Sequence, residues 1–392
     1  MKNRVVALAA LCCTTGAAHA QSSVTLYGIV DAGFTYNSNV AGNRQYALTS
    51  GNGAGDRWGL KGVEQLGGGL AAIFDIESGF SITNGTTSQG GTQFGRQVYT
   101  GLSSDMGSVT LGRQTALTND FVANFSSGST WAAAGTGYGS HVGDLDNLVA
   151  LNRTNNSIKY RSPVYRGLTV SSAYAFGGVP GTLSQDQIWE LGASYAGGPF
   201  QLAAGYLLAK NPNYSFFGNE VKSSATGNNL TASPAYSGYA SAGSQQIIAV
   251  GGSYTAGALV VSTVYSNVQF SSLGQTTVAG LTAQENAYRG SATFNTGELN
   301  LQYFLSPEFM LGLAYNYTKL DGVGGQGARY QQINAGGRYY LSKSTDIYTV
   351  AIFQRAGGTD STGRPAVATI TGVTPSDGRY QTVVTAGIEK KF

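Results

Sequence analysis

Cysteine, histidine and charge are scarce in this 392-residue chain, and each scarcity removes a class of answer. Both cysteines, Cys12 and Cys13, fall inside an N-terminal segment laid out as a secretory leader. Lys2 and Arg4 give a basic start, residues 5–11 an apolar core, and Ala18-His19-Ala20 a small-residue cleavage site. Residues 1–20 are therefore expected to be removed as a signal peptide, leaving 372 residues without a cysteine. No disulfide then holds the exported protein together. The same cut leaves 21 basic residues against 20 acidic, a net +1 that gives no electrostatic case for nucleic acid as a partner. One histidine remains, His141, so no histidine–cysteine metal centre is available and only weak calcium binding by loop carboxylates stays open. Charged residues make up 11% of the chain, against about 25% in a soluble domain. Beyond the leader, no apolar run approaches the ~18 residues of a membrane-crossing helix.

What is abundant is glycine (57), tyrosine (24) and phenylalanine (16), arranged with a period of two. In EFMLGLAYNYT, Phe309, Leu311, Leu313, Tyr315 and Tyr317 share one face, with Gly312, Ala314, Asn316 and Thr318 on the other. In LAAIFDIE, Leu70, Ala72, Phe74 and Ile76 oppose Ala71, Ile73, Asp75 and Glu77. Segments of this kind recur from 24–36 to 380–392, at the ~9–11 residues that a tilted strand needs to cross hydrocarbon. Seven short turns rich in Gly, Pro, Ser and Asp alternate with eight longer loops: 37–56, 80–94, 115–155, 177–186, 209–245, 269–284, 319–328 and 356–379. Fifteen connections join sixteen strands, so the fold class is an all-β, antiparallel, sixteen-stranded transmembrane barrel forming one domain over 21–392. Asn286–Thr296 also alternates, which predicts one long strand over 285–305 with a register slip near 295–297. Tyr27, Tyr36, Tyr254, Tyr303, Tyr317 and Tyr339 suit an aromatic girdle. Phe392 shares a face with Ile388, Ala386, Val384 and Tyr380.

Several long stretches carry a resemblance: SSVTLYGIVDAG (22–33), RWGLKGVEQLGGGLAAIFDIESGF (57–80), FGRQVYTGLSSDMGSVTLGRQ (94–114), RTNNSIKYRSP (153–163), YYLSKSTDIY (339–348) and the ending GIEKKF. In this order they resemble the trimeric general porins of β-proteobacterial outer membranes. The resemblance implies a sixteen-stranded barrel, a homotrimer in outer-membrane lipid, and a third extracellular loop folded inward to narrow the pore. The expected function is passive diffusion of small hydrophilic solutes and ions, with no cofactor and no catalytic group. The third loop, 115–155, is also the longest by count, at 41 residues.

In such a pore, selectivity comes from charged side chains facing one another across the lumen. Arg57 and Lys61 alternate with Trp58 and Leu60, and an arginine on the mid-bilayer lipid face costs ~2–4 kcal/mol, so both are expected to face inward. Likewise Lys159 and Arg161 oppose Ile158 and Tyr160. The family's arginine cluster falls here on Arg57, Arg96 and Arg153; Arg113 is a further candidate, although alternation with Val109 and Leu111 turns it outward. Asp120, Asp144 and Asp146 of the third loop are the acidic counterparts, and the basic wall suggests an anion preference. The alternatives are a substrate-specific channel, a soluble β-sandwich, and an outer-membrane hydrolase that would have to use His141 without a nucleophile motif nearby. GVGGQG (322–327) precedes a strand rather than a helix, so it is a glycine-rich loop and not a dinucleotide fingerprint.

Overall fold

The computed structural model describes residues 22–215, 217–218 and 227–392; the expected leader, and part of the fifth loop, lie outside them. Eighteen strand segments make one sheet: β1 Ser23–Val40, β2 Asn43–Ser50, β3 Arg57–Gly67, β4 Leu70–Gly79, β5 Gln97–Ser104, β6 Gly107–Thr115, β7 Arg153–Arg161, β8 Leu168–Ala175, β9 Ile188–Gly197, β10 Phe200–Lys210, β11 Phe217–Gly218, β12 Ser244–Ala256, β13 Leu259–Leu273, β14 Gly290–Ser306, β15 Phe309–Asp321, β16 Arg329–Ser342, β17 Thr345–Gly357 and β18 Tyr380–Lys391. Both β2 and β3 pair with β1 and are two pieces of one strand, while β11 is a two-residue segment against β7. That leaves sixteen crossing strands. β18 pairs with β1 from Ile29↔Lys391 to Asn37↔Val383, so the sheet closes and leaves no edge whose unpaired amides would face lipid. The terminal residue seals the seam: Gly28 N donates to the Phe392 carbonyl (3.0 Å) and Phe392 N to the Gly28 carbonyl (3.1 Å).

In β15 and β17 burial alternates residue by residue. The exposed set is apolar (Leu311, Leu313, Tyr315, Ile347, Phe353) and the covered set is rich in polar residues (Asn316, Thr318, Asp346, Gln354). This inversion of a soluble protein puts hydrocarbon outside and the polar lumen inside.

Three expectations are corrected. Segment 37–56 is mostly strand, because Ala41 (φ 47°) and Gly42 (φ 94°) make a two-residue turn that lets β1 and β2 run out together as a hairpin. There is no register slip near 295–297: β14 pairs in unbroken register with β13 and β15 through that stretch. Ala292 and Phe294 point inward, into an apolar cluster with Tyr239, Phe270, Tyr288 and Tyr330 at the loop end of the lumen. One strand runs through this stretch without a slip, because its two faces are apolar for different reasons: lipid outside and the interior cluster inside. Tyr27 leaves the girdle as well, since its hydroxyl donates to Asp75 Oδ1 (2.7 Å) on the inner face.

Candidate functional site

The break between β2 and β3 is built by two buried carboxylates. Asp31 accepts from the amides of Asn52 (2.8 Å) and Gly53 (3.0 Å), and Asp56 accepts from Asp31 N (2.5 Å) and from Ser50 Oγ. These bonds satisfy the amides that the interrupted ladder leaves free. The break also receives the third loop, whose Gly135 N donates to the Asn52 carbonyl (3.0 Å). Arg57 starts the chain back into β3.

The third loop lies against side chains of the inner wall. Its helix α1, Leu117–Val122, presents the Leu117 amide to Glu190 Oε2 (2.5 Å). Trp131 Nε1 donates to Asn300 Oδ1 (2.9 Å), and Asn334 Nδ2 donates to Ser127 Oγ (2.9 Å) and the Gly139 carbonyl (2.8 Å). Glycines on the wall make room. A Cβ at Gly192 would stand 2.4 Å from the Phe121 ring, and one at Gly312 2.5 Å from Trp131.

Between this loop and the break lies a polar cavity of about 570 Å3. Arg57, Arg96 and Arg153 line it together. Arg57 Nε donates to the Gly55 carbonyl (3.0 Å). Arg96 precedes β5 by one residue, so the alternation of that strand does not bind it. Its Nε reaches Glu77 Oε1 at 2.6 Å, and its carbonyl accepts from Arg153 Nε at 2.9 Å. Arg153 is buried, and its Nη1 has no partner among the described residues. On the loop side stands Asp120, which accepts from Thr115 Oγ1 (2.5 Å) and Lys159 Nζ (2.8 Å).

The remaining candidates lie elsewhere. Lys61 shares the inner face with its register partner Asp75, but its ammonium sits 5.4 Å above the Tyr27 ring, outside the cavity lining. Arg161 lies 5.2 Å from the Phe121 ring of the loop. Arg113 is opposite Val98, on the outer face, where its guanidinium donates to the Gly95 carbonyl (2.9 Å) and Asn155 (2.5 Å). Asp144 and Asp146 do not face the cavity. Asp144 is buried within the loop, accepting from the amides of Val149 and Leu151 (3.0 Å each); burial and the neighbouring charge of Asp146 push its carboxyl up to about 7.

Asp146 belongs to a buried clamp. His141 Nδ1 lies 2.6 Å from Asp146 Oδ2, and Nε2 lies 2.8 Å from Glu298 Oε2 on β14. Burial disfavours the imidazolium, but the charge of Asp146 and hydrogen bonds to both carboxylates outweigh it and hold the ring well above its usual 6.5. With a carboxylate on each nitrogen, the ring has no lone pair free to act as a general base. Asp146 is held low: burial opposes ionisation, and the charge and hydrogen bond of His141 prevail.

Sequence reasoning missed Glu77, Arg338, Glu389 and Lys391, all of which line the cavity. Glu77 was within reach, because it shares its strand face with Asp75. Glu389 meets Lys391 Nζ (3.0 Å) two residues along β18 and Arg338 Nη2 (3.3 Å) from β16, two strands away; ring closure is what brings that trio to the same cavity as Arg57. In all, five cations (Arg57, Arg96, Arg153, Arg338, Lys391) face three carboxylates (Glu77, Asp120, Glu389), a local excess of two positive charges.

A closed sixteen-stranded transmembrane barrel with charged residues on its inner wall, and its longest loop bonded to that wall, defines the class: an outer-membrane β-barrel protein. Residues 7–359 match the model of the Gram-negative porin family, and the chain belongs to it. It is 29% identical to outer membrane porin protein 32 of Delftia acidovorans over the full length of both chains. It is 33% identical to an outer membrane porin of Bordetella pertussis over 53% of this chain and 59% of that one. The match to major outer membrane protein P.IB of Neisseria meningitidis, 29% identical, likewise spans 46% of this chain and 52% of that one. The fold is that of the anion-selective porin from Comamonas acidovorans, with a TM-score of 0.72 at 23% identity over 95% of this chain and all of that one.

Proposed function

We propose that the protein is a passive, anion-preferring diffusion pore for small hydrophilic solutes, working as a homotrimer in the outer membrane. One observation carries the ion preference: three guanidiniums on one wall of the cavity, with a lining two charges more positive than negative. In a narrow, low-dielectric passage such an excess raises the local anion concentration and repels cations. The only acid of the opposing loop helix, Asp120, is paired with Lys159 and does little to reverse the field. Trimerisation is supported by a trimer form among the solved structures of similar fold, that of a Vibrio cholerae outer-membrane protein. Removal of the leader after Ala20 is part of the same proposal, and N-terminal sequencing of the membrane-inserted form checks it.

The test is the zero-current potential of the mature protein in a planar bilayer across a potassium chloride gradient. A potential of anion-preferring sign, with current steps in threes, supports the proposal. A cation-preferring sign refutes the arginine-wall assignment, and no conductance from folded protein refutes the open pore.

A further inference from the structure

A second basic cluster lies outside the lumen. Arg329 at the start of β16, Arg355 near the end of β17 and Arg379 just before β18 are all exposed and line a cleft of about 390 Å3 on the outer wall. Register places Arg329 and Arg355 on the lipid face, and Arg379, one residue before β18, joins them by lining the same cleft. Gln331 opposes Arg355 across β16–β17, and Arg355 opposes Tyr380 across β17–β18. The same face carries the exposed Ile333, Phe353 and Tyr380, with the last two rings stacked at 6.1 Å. Arg355 stands two residues beyond Phe353 toward the long-loop rim, or ~7 Å at the strand rise. Long loops mark the extracellular rim, so the cluster lies just above the aromatic belt of the outer leaflet.

No ion pair within the protein neutralises these three side chains among the described residues. The nearby acids are engaged elsewhere: Asp321 with Lys319 Nζ (2.7 Å), Asp377 with Asn39 Nδ2 (2.7 Å) and Asp360 with Thr362 (2.7 Å). Glycines among the lining leave the cleft open: a Cβ at Gly357 would meet nothing within 4 Å and one at Gly327 only the Leu320 carbonyl at 3.9 Å. Guanidiniums present planar donor pairs that match phosphate oxygens, and at this depth the membrane itself is the available anion source. We propose that Arg329, Arg355 and Arg379 form an external site for the phosphorylated headgroup of an outer-leaflet lipid. The lipid's acyl chains would lie along the apolar face below.

The experiment uses the folded full-length mature protein in detergent, titrated into micelles containing a fluorescent bisphosphorylated lipid A. The R329Q/R355Q/R379Q variant is expected to bind at least tenfold more weakly, and removing the lipid's phosphates should weaken binding to the native protein as much. Conductance and zero-current potential should stay unchanged, because none of the three lines the luminal cavity; this separates the site from the pore reading. Should the triple variant misfold, single R355Q, expected to bind about threefold more weakly, carries the test. Equal binding by the variant, or by dephosphorylated lipid, overturns the proposal. Displacement by inorganic phosphate at the lipid's own concentration reassigns the site to free phosphate and overturns it too. Loss of trimers without loss of lipid binding makes the cluster a subunit contact and overturns it as well.

Discussion

Replacing His141 with alanine would leave Asp146 and Glu298 facing each other in a space from which water is excluded, since both carboxylate side chains are 0% exposed. Breaking a buried charged pair by removing one partner costs about 3–5 kcal/mol, because the survivor's charge is left uncompensated. At 1.4 kcal/mol per tenfold, that moves the docked-to-undocked equilibrium of the third loop by about two to three and a half orders of magnitude. The other anchors, Trp131 to Asn300 and Leu117 to Glu190, remain, so the loop should flicker rather than leave. We expect H141A to show current noise and brief closures in single-channel records, cleavage by protease within 127–150, and a lower unfolding temperature for the barrel. Adding E298Q should recover part of the loss by removing one of the two stranded charges. Because the ring's folded-state pKa is raised, its stabilisation is fully present below 6.5 and disappears as pH rises through the higher value. The native loop should therefore stay quiet through the ordinary imidazole range and become noisy only as pH rises well above 6.5. A quiet, protease-resistant H141A would refute the clamp.

Four further outcomes follow from the same geometry. R57Q, R96Q and R153Q should each move the zero-current potential toward cations, and together reverse it, whereas R113Q, whose guanidinium binds Gly95 and Asn155 on the outer face, should leave it unchanged. Asp144, raised to about 7, contributes stability that falls as pH rises from about 4 to 7 and is flat above; D144N should remove that slope from thermal melts measured across pH 4–8. Gly192→Val inserts a side chain where Phe121 already stands, at an overpacking cost of about 1–3 kcal/mol, and should shift the loop helix and change unitary conductance. Deleting Phe392 removes both backbone bonds to Gly28 and should lower the temperature at which the barrel unfolds in detergent.

The alternation of residues like Leu311, Leu313 and Tyr315 with Gly312, Ala314 and Asn316 determines strand, membrane and barrel, because a strand's side chains point to opposite faces by backbone geometry alone. Turn residues and loop lengths determine the strand number in the same local way. Arg57 was legible for that reason, since its neighbours Trp58 and Leu60 declare the outer face. Arg96 was not: it stands before its strand begins, and the family resemblance, not the pattern, pointed to it. What alternation cannot give is what fills the lumen. Phe294 packs with Tyr239 and Phe270 in an interior cluster that its own strand does not mark, and Asp144 and Asp146 read as pore-facing until the loop's own fold buries them. The meeting of Arg57, Arg153 and Glu389 in one cavity depends on ring closure. Closure is a property of all sixteen strands at once, so only the tertiary structure decided which charges line this cavity.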